Sequence, residues 1–382
     1  MRLRLARARI VTAETVVEGD LVIEDGRIAA LVPGGAAGHA ASDRVLDCGG
    51  DWLLPGLVEL HTDNLERQFT PRPGVRWPAE AAMLMHDAQV AAAGITTVCD
   101  AICVGFYGGR SERLDYLGLS LAVLARARAA RALKAEHLLH LRLELTDPHL
   151  LELLEPLLAE PSLHLVSFMD HTPGQRQWRD LDKLRGFHLG REIKTEAEFQ
   201  AMIAQRIAEQ AAFAQRHRAE VLRLLAGREV VRASHDDTTL AHVEEALACG
   251  CAIAEFPTTL EAARAARAAG MGVVMGAPNL VIGGSHSGNV AAAEIVAAGL
   301  LDAFSSDYVP ASLLQAAFRL RDGFGLAMPE AIAPVTRNPA RLLGLADRGS
   351  IAPGLRADLV RVREIGATPT VLSTWVAGER VA

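Results

Sequence analysis

Apolar and polar side chains alternate from Leu3 to Val32, with a break at Glu24-Asp25-Gly26-Arg27. A period of two around an Asp-Gly pair predicts a β-hairpin, because both residues tolerate the left-handed turn that matches strand twist. The same texture returns in Ala357-Asp358-Leu359-Val360-Arg361-Val362 and from Val371 to Val381, where Ala377-Gly378-Glu379 reads as the turn. Each end has too few strands to bury a core by itself. Residues 1–52 and 346–382 are therefore expected to form one composite β domain, a small β-sandwich.

Between these ends the pattern changes to short apolar runs separated by long helical segments, which is the mark of repeated βα units. The first run, from Leu53, ends abruptly in His61-Thr62-Asp63-Asn64. Seven more follow: Ile95 to Asp100, Leu138 to Leu145, His164 to Asp170, Glu229 to His235, Ala252 to Phe256, Gly272 to Gly276 and Ala303 to Asp307. Eight such strands predict an α/β fold, a (β/α)8 TIM-type barrel over residues 53–345. Two helical stretches, Ser111 to His137 and Thr195 to Ala226, are long and rich in Ala, Leu and Arg, and the second opens with the capping-box pattern Thr195-x-x-Glu198. Both read as helices packed on the barrel. The second is also long enough to cover a site or to pair with a partner subunit in a homodimer.

The barrel gives meaning to the polar residues that end the runs. These are Asp63, Asp100, Glu144, Asp170-His171, His235, Glu255 and Asp307, and the C-terminal face of such a barrel is where active sites sit. His61 and Asp63 lie one pleat apart on the same side of a strand, a spacing that suits two ligands of one metal ion. An isolated His-x-Asp more often caps a turn. The joint placement of several His and carboxylate residues at strand ends is what points to a metal centre.

Composition narrows the class. A chain of 382 residues, half of them hydrophobic, can bury a large core. Its net charge of −7 argues against non-specific nucleic-acid binding but leaves room for a local basic pocket that takes an anionic small molecule. Arginines interrupt the apolar residues of Met1 to Arg7, so neither a signal peptide nor a membrane segment is expected there. The cysteines (Cys48, Cys99, Cys103, Cys249, Cys251) are odd in number and lack zinc-ribbon spacing, which reads as reduced thiols in the cytoplasm.

Donors for an anion are at hand. Gly283-Gly284-Ser285-His286-Ser287-Gly288-Asn289, after the seventh strand, offers backbone N–H groups and a helix N-terminus. Arg67, Arg72, Arg76, Arg176, Arg179, Arg185 and Arg191 fall in the loops after strands one and four, with His188 and Lys194 nearby. Arginine's planar fork matches phosphate oxygens.

Pro55-Gly56-Leu57-Val58-Glu59-Leu60-His61 resembles the first-strand motif of the amidohydrolase superfamily of metal-dependent hydrolases, and Gly349 to Val360 resembles that superfamily's return to its β domain. Within the superfamily, His61-Thr62-Asp63-Asn64-Leu65-Glu66-Arg67, Thr70 to Pro78 and Ser167 to Gln175 resemble the branch that serves phosphonate metabolism. The resemblance implies one or two divalent ions, Zn²⁺ or Mn²⁺, held by His61, Asp63, Glu144, His171, His235 and Asp307. Asp63 stands where the superfamily usually has a second histidine. None of the three lysines ends the fourth strand, so Glu144 is the candidate for the bridging carboxylate; the sixth strand ends in Glu255 and lacks the usual histidine. Asp307 corresponds to the aspartate that binds metal and takes a proton from the attacking water, and His235 joins it as a catalytic candidate. The branch implies hydrolysis of a phosphoanhydride. The triphosphate end of such a substrate would meet Arg67, Arg72, Arg176, Arg179, His188 and Lys194, and the sugar or phosphonate end Ser285, His286 and Ser287, or the reverse. Two alternatives stay open: hydrolysis of a cyclic amide or N-acyl group, and a metal-free scaffold.

Overall fold

A computed structural model of the chain describes residues 2–35, 44–72, 74–105, 112–188, 195–285 and 288–382. Its centre is a parallel sheet of eight strands in sequence order: β1 (Leu57–Thr62), β2 (Ile95–Val104), β3 (Glu136–Glu144), β4 (Leu163–Met169), β5 (Val231–His235), β6 (Ile253–Glu255), β7 (Gly272–Gly276) and β8 (Ala303–Ser305). A parallel bridge between Thr62 and Asp307 brings the last strand back to the first. All ten residues of β2 are buried, as they must be in a parallel sheet covered by helices. Val58, Leu60, Cys99, Leu165, Ala233, Ile253, Val274 and Ala303 pack into one apolar cluster drawn from the barrel strands. Among the described residues no helix is long and apolar enough to cross a membrane.

The two chain ends share a second sheet of eight strands. Arg2–Val11, Val16–Glu24 and Arg27–Pro33 form its N-terminal part, with Arg44–Asp47 beside the first of them. Trp52–Pro55 then pairs antiparallel with Leu359–Ile365, which continues to Thr368–Val376 and Glu379–Arg380. Leu5, Ile10, Leu21, Ile23, Leu53, Leu359 and Trp375 make one core from both ends. The expected Asp25-Gly26 turn is present, with φ of 49° and 78°.

Four details differ from the periodicity. The apolar run from Leu53 to Thr62 divides at Gly56, so Trp52–Pro55 belongs to the small sheet and Leu57–Thr62 to the barrel. A Cβ at Gly56 would collide with the Thr96 side chain, which is why the crossing point is a glycine. Second, β2 runs on to Val104, which leaves Asp100 inside the strand and away from its end. Third, the helix expected to reach His137 is Glu112–Ala129, and Ser111 lies outside the described residues. That helix stops because Arg131 turns left-handed (φ 53°) and the Ala132 N–H reaches back to Ala127 O. Fourth, a short helix, Ala277–Ile282, intervenes between β7 and the glycine-rich loop. The second long helix, Glu196–Leu224, begins with the expected Thr195–Glu198 capping box.

Candidate metal centre

β1 and β8 end side by side because their backbones are stapled together. The Asp63 N–H donates to Asp307 O (2.9 Å), the Asp307 N–H to His61 O (3.1 Å), and Thr62 Oγ1 to Asp307 O (2.8 Å). Beneath them, Glu59 accepts from the N–H groups of His61 (2.6 Å) and Ser306 (2.7 Å). Burial pushes the Glu59 carboxyl up to about 7. The register of β1 against β2 also shifts between Glu59 and Thr62, an irregularity of the kind that re-aims side chains next to sites.

Four groups of three potential ligands occur among the described residues, and two of them consist of residues that lie at or just beyond the ends of β1, β4, β5 and β8. His61, Asp63 and Asp307 each place one donor atom within 4.8 Å of the others, and so do His171, His235 and Asp236. In the first, His61 Nε2 is 3.5 Å from Asp63 Oδ1. In the second, Asp236 Oδ2 is 3.3 Å from His235 Nε2 and 3.9 Å from His171 Nε2. The groups adjoin, since the His61 and His235 rings stack at 5.7 Å between centroids. Asp236 and Asp307 both have left-handed backbones, φ 58° and 54°. Such strain concentrates at functional sites, and Asp tolerates it better than most residues.

Carboxylates stand behind the histidines. Glu255 accepts from His61 Nδ1 (2.8 Å), His235 Nδ1 (2.6 Å) and Ser167 Oγ (3.0 Å). Glu144 accepts from His171 Nδ1 (2.6 Å) and Thr146 Oγ1 (2.8 Å). With each Nδ1 held by a carboxylate, Nε2 is the nitrogen left to meet a cation, the usual support for a metal-binding histidine. Asp236 Oδ2 is buried and makes no hydrogen bond among the described residues. A divalent cation would satisfy it. The residues therefore suit a metal ion, and the donors are imidazole nitrogen and carboxylate oxygen without thiolate.

The electrostatics agree. Burial opposes charge on the His61 imidazole, but the Glu255 carboxylate outweighs it and holds the group up at about 10. Glu255 itself, buried yet facing His61, is held far below the ordinary carboxylate range. Burial, with Asp63 alongside, pushes the Asp307 carboxyl up to about 6. A cation at these atoms would displace the Nε2 protons and favour both carboxylates ionised.

The other expected residues lie in different surroundings. Arg67, Arg72 and Arg179 are exposed, and Arg67 Nη1 donates to Tyr308 O (2.6 Å) beside Asp307. Arg176 is buried instead: it donates to His235 O (2.9 Å), Asp237 Oδ1 (2.6 Å) and Glu245 Oε2 (3.1 Å), and so braces the loop that carries His235 and Asp236. Lys194, His286, Ser287 and the side chain of His188 lie outside the described residues, while Ser285 is half-buried. Asp100 is level with Thr62 along the sheet, but its side chain joins neither group of ligands: it binds His86 Nε2 (2.7 Å) and His137 Nδ1 (2.8 Å). Three residues of the centre are not singled out as such by the sequence patterns. Asp236 directly follows His235, Glu255 is marked as a strand-end carboxylate but not as the support of two histidines, and Arg142 lies two residues before Glu144, hence on the same face of β3.

Comparison with known proteins places the chain in a family. The amidohydrolase family pattern matches residues 176–382. Alpha-D-ribose 1-methylphosphonate 5-triphosphate diphosphatase from Escherichia coli (strain K12) is 45% identical over 375 residues, covering 98% of each chain. At fold level, a crystal structure of dihydropyrimidinase from Brevibacillus agri superposes with a TM-score of 0.62 at 13% identity, covering 100% of this chain and 95% of that one. N-acetylglucosamine-6-phosphate deacetylase from Pasteurella multocida gives a TM-score of 0.61 at 13% identity, covering 100% and 99%. With a family match over its second half and a relative that aligns end to end, the chain belongs to the amidohydrolase family.

Proposed function

We propose that this protein is a metal-dependent diphosphatase of phosphonate catabolism, cleaving α-D-ribose 1-methylphosphonate 5-triphosphate to the 5-phosphate and pyrophosphate. The observation that carries this reading is the end-to-end kinship with the Escherichia coli enzyme of that name. His61, Asp63 and Asp307 would hold one cation, and His171, His235 and Asp236 would offer a second position. Zn²⁺ or Mn²⁺ suits this mixture of nitrogen and oxygen donors. When bound there, such a cation would supply the acidity that makes water a nucleophile near neutral pH and would offset charge on phosphoryl oxygens.

The chain's own groups do the rest. Glu255 and Glu144 fix the orientation of three imidazoles. Asp307 accepts the proton of the attacking water at its carboxylate, which the adjoining backbone staples hold in place. Arg67, Arg72 and Arg179 are exposed and meet the incoming triphosphate, whereas Arg176 positions the loop after β5. The five cysteines are free and buried, consistent with work in the reducing cytoplasm.

Turnover in ¹⁸O-water tests the reading. Attack at the α-phosphorus puts the label in the sugar 5-phosphate, with pyrophosphate unlabelled. Label in pyrophosphate, or release of orthophosphate, would sink it.

A further inference from the structure

A buried arginine sits among the acidic residues of the centre, and the sequence patterns do not account for it. Arg142 projects from β3 on the same face as Glu144. Its side chain is only 9% exposed, and Nη1 donates to both oxygens of Asp63, at 2.8 and 3.0 Å. Those contacts use one of three guanidinium nitrogens. The buried Nε makes no hydrogen bond among the described residues.

A fixed positive charge on a metal-binding carboxylate is costly if metal binding is all the site must do, because it repels the cation that Asp63 is to hold. It becomes useful when a substrate brings more negative charge than the metal neutralises. An ionised carboxylate has about four lone-pair positions, enough to keep the arginine and still ligate. A guanidinium anchored in this way is held in place before substrate arrives, and fixed donors that need no reorganisation are the condition under which electrostatic stabilisation of a transition state is strongest.

We propose that Arg142 is a further catalytic residue, whose guanidinium, anchored on Asp63, binds the non-bridging oxygens of the phosphoryl group under attack. The proposal rests on the phosphoanhydride reading above, since a neutral cyclic amide has no use for this cation. Planarity matters as well as charge. Lysine keeps the pairing with Asp63 but cannot offer a second, parallel donor.

The test uses the full-length, metal-loaded protein and its Arg142→Gln and Arg142→Lys variants. Inorganic phosphate and pyrophosphate binding is measured by titration calorimetry, metal content by mass spectrometry, and turnover of the triphosphate with and without added guanidinium. Both variants should keep their metal yet bind phosphate and pyrophosphate about 10- to 100-fold more weakly. Turnover by Arg142→Gln should fall about 100- to 1000-fold and be partly restored by guanidinium but not by urea. If Arg142→Gln does not fold, phosphate binding by Arg142→Lys decides the matter in the same way. Wild-type phosphate affinity in the variants, or metal lost in step with turnover, overturns the proposal. A wild-type protein that binds phosphate through Arg142 but leaves the triphosphate intact would instead defeat the diphosphatase reading and leave Arg142 standing.

Discussion

In the proposed mechanism Asp307 is the proton acceptor, and its surroundings tune it for that. Its backbone is stapled to His61 and Asp63, and burial beside Asp63 pushes its carboxyl up to about 6. Only the ionised form accepts a proton, so kcat/KM should be lost as pH falls through the pKa of this group. A cation on the same carboxylate moves that pKa down, which puts the acid limb at or below about pH 6. An acid limb centred above pH 7 would contradict the assignment. Asp307→Asn should lower kcat by about 100- to 10,000-fold while KM changes little, because the substrate's charged ends lie elsewhere. A large rise in KM with kcat preserved would make Asp307 a binding residue instead.

Among the elements, helix Ala79–Ala92, β2 and β3 are joined by a buried polar chain. Asn64 donates to His86, His86 and His137 flank Asp100, and His137 reaches Asp87. Burial disfavours charge on Asp100, yet His137 and His86 outweigh it and hold its carboxyl far below the ordinary range. The same contacts, led by Asp100, overcome burial and raise the His137 imidazole to about 9. The signs follow from linkage: the depressed Asp contributes stability above its unfolded pKa of about 4, and the raised His contributes fully below its unfolded value of about 6.5. Stability from this chain should therefore be complete between about pH 4 and 6.5, and should decline as pH rises through about 9. Asp100→Asn leaves a buried charge unpaired and should cost about 3–5 kcal/mol in urea unfolding. A variant as stable as wild type, or a wild type with no alkaline decline, would refute this account.

At the scale of the molecule, the two chain ends and the barrel support one another. Leu359–Ile365 pairs with Trp52–Pro55, while Val360 and Val362 pack into the main barrel core. Asp51 binds Arg361 (2.6 Å) and Arg363 (2.7 Å), and Arg348 joins Glu136 of β3 (2.8 Å). Removing residues 346–382 would strip one of the two strand partners from Trp52–Pro55, leaving only Arg2–Val11, and would remove Leu359 and Trp375 from the core that holds Leu53 and Ile10. The truncated chain should lose its cooperative melt and become sensitive to limited proteolysis in residues 2–35. A soluble, folded and active truncation would show that the composite β domain is not a unit.

Local periodicity carried the architecture: eight apolar runs became the eight barrel strands, and the Asp25-Gly26 turn and the Thr195 capping box formed where the pattern places them. These features depend on neighbours within a few positions, so a linear pattern contains them. His61, Asp63, His171, His235 and Asp307 were legible for a related reason, since the barrel topology sends every strand end to one face. What a side chain meets there is decided by residues far away in sequence. Glu255, 194 positions from His61, stands behind two histidines, and Arg142, 79 positions from Asp63, claims that carboxylate. By its position in the chain Arg176 is a loop arginine free for phosphate, but its left-handed backbone (φ 48°) turns it into the wall behind His235. Spacing along the chain contains no information about which buried charges end up facing each other; that is settled only when packing excludes water and each charge must take the nearest partner.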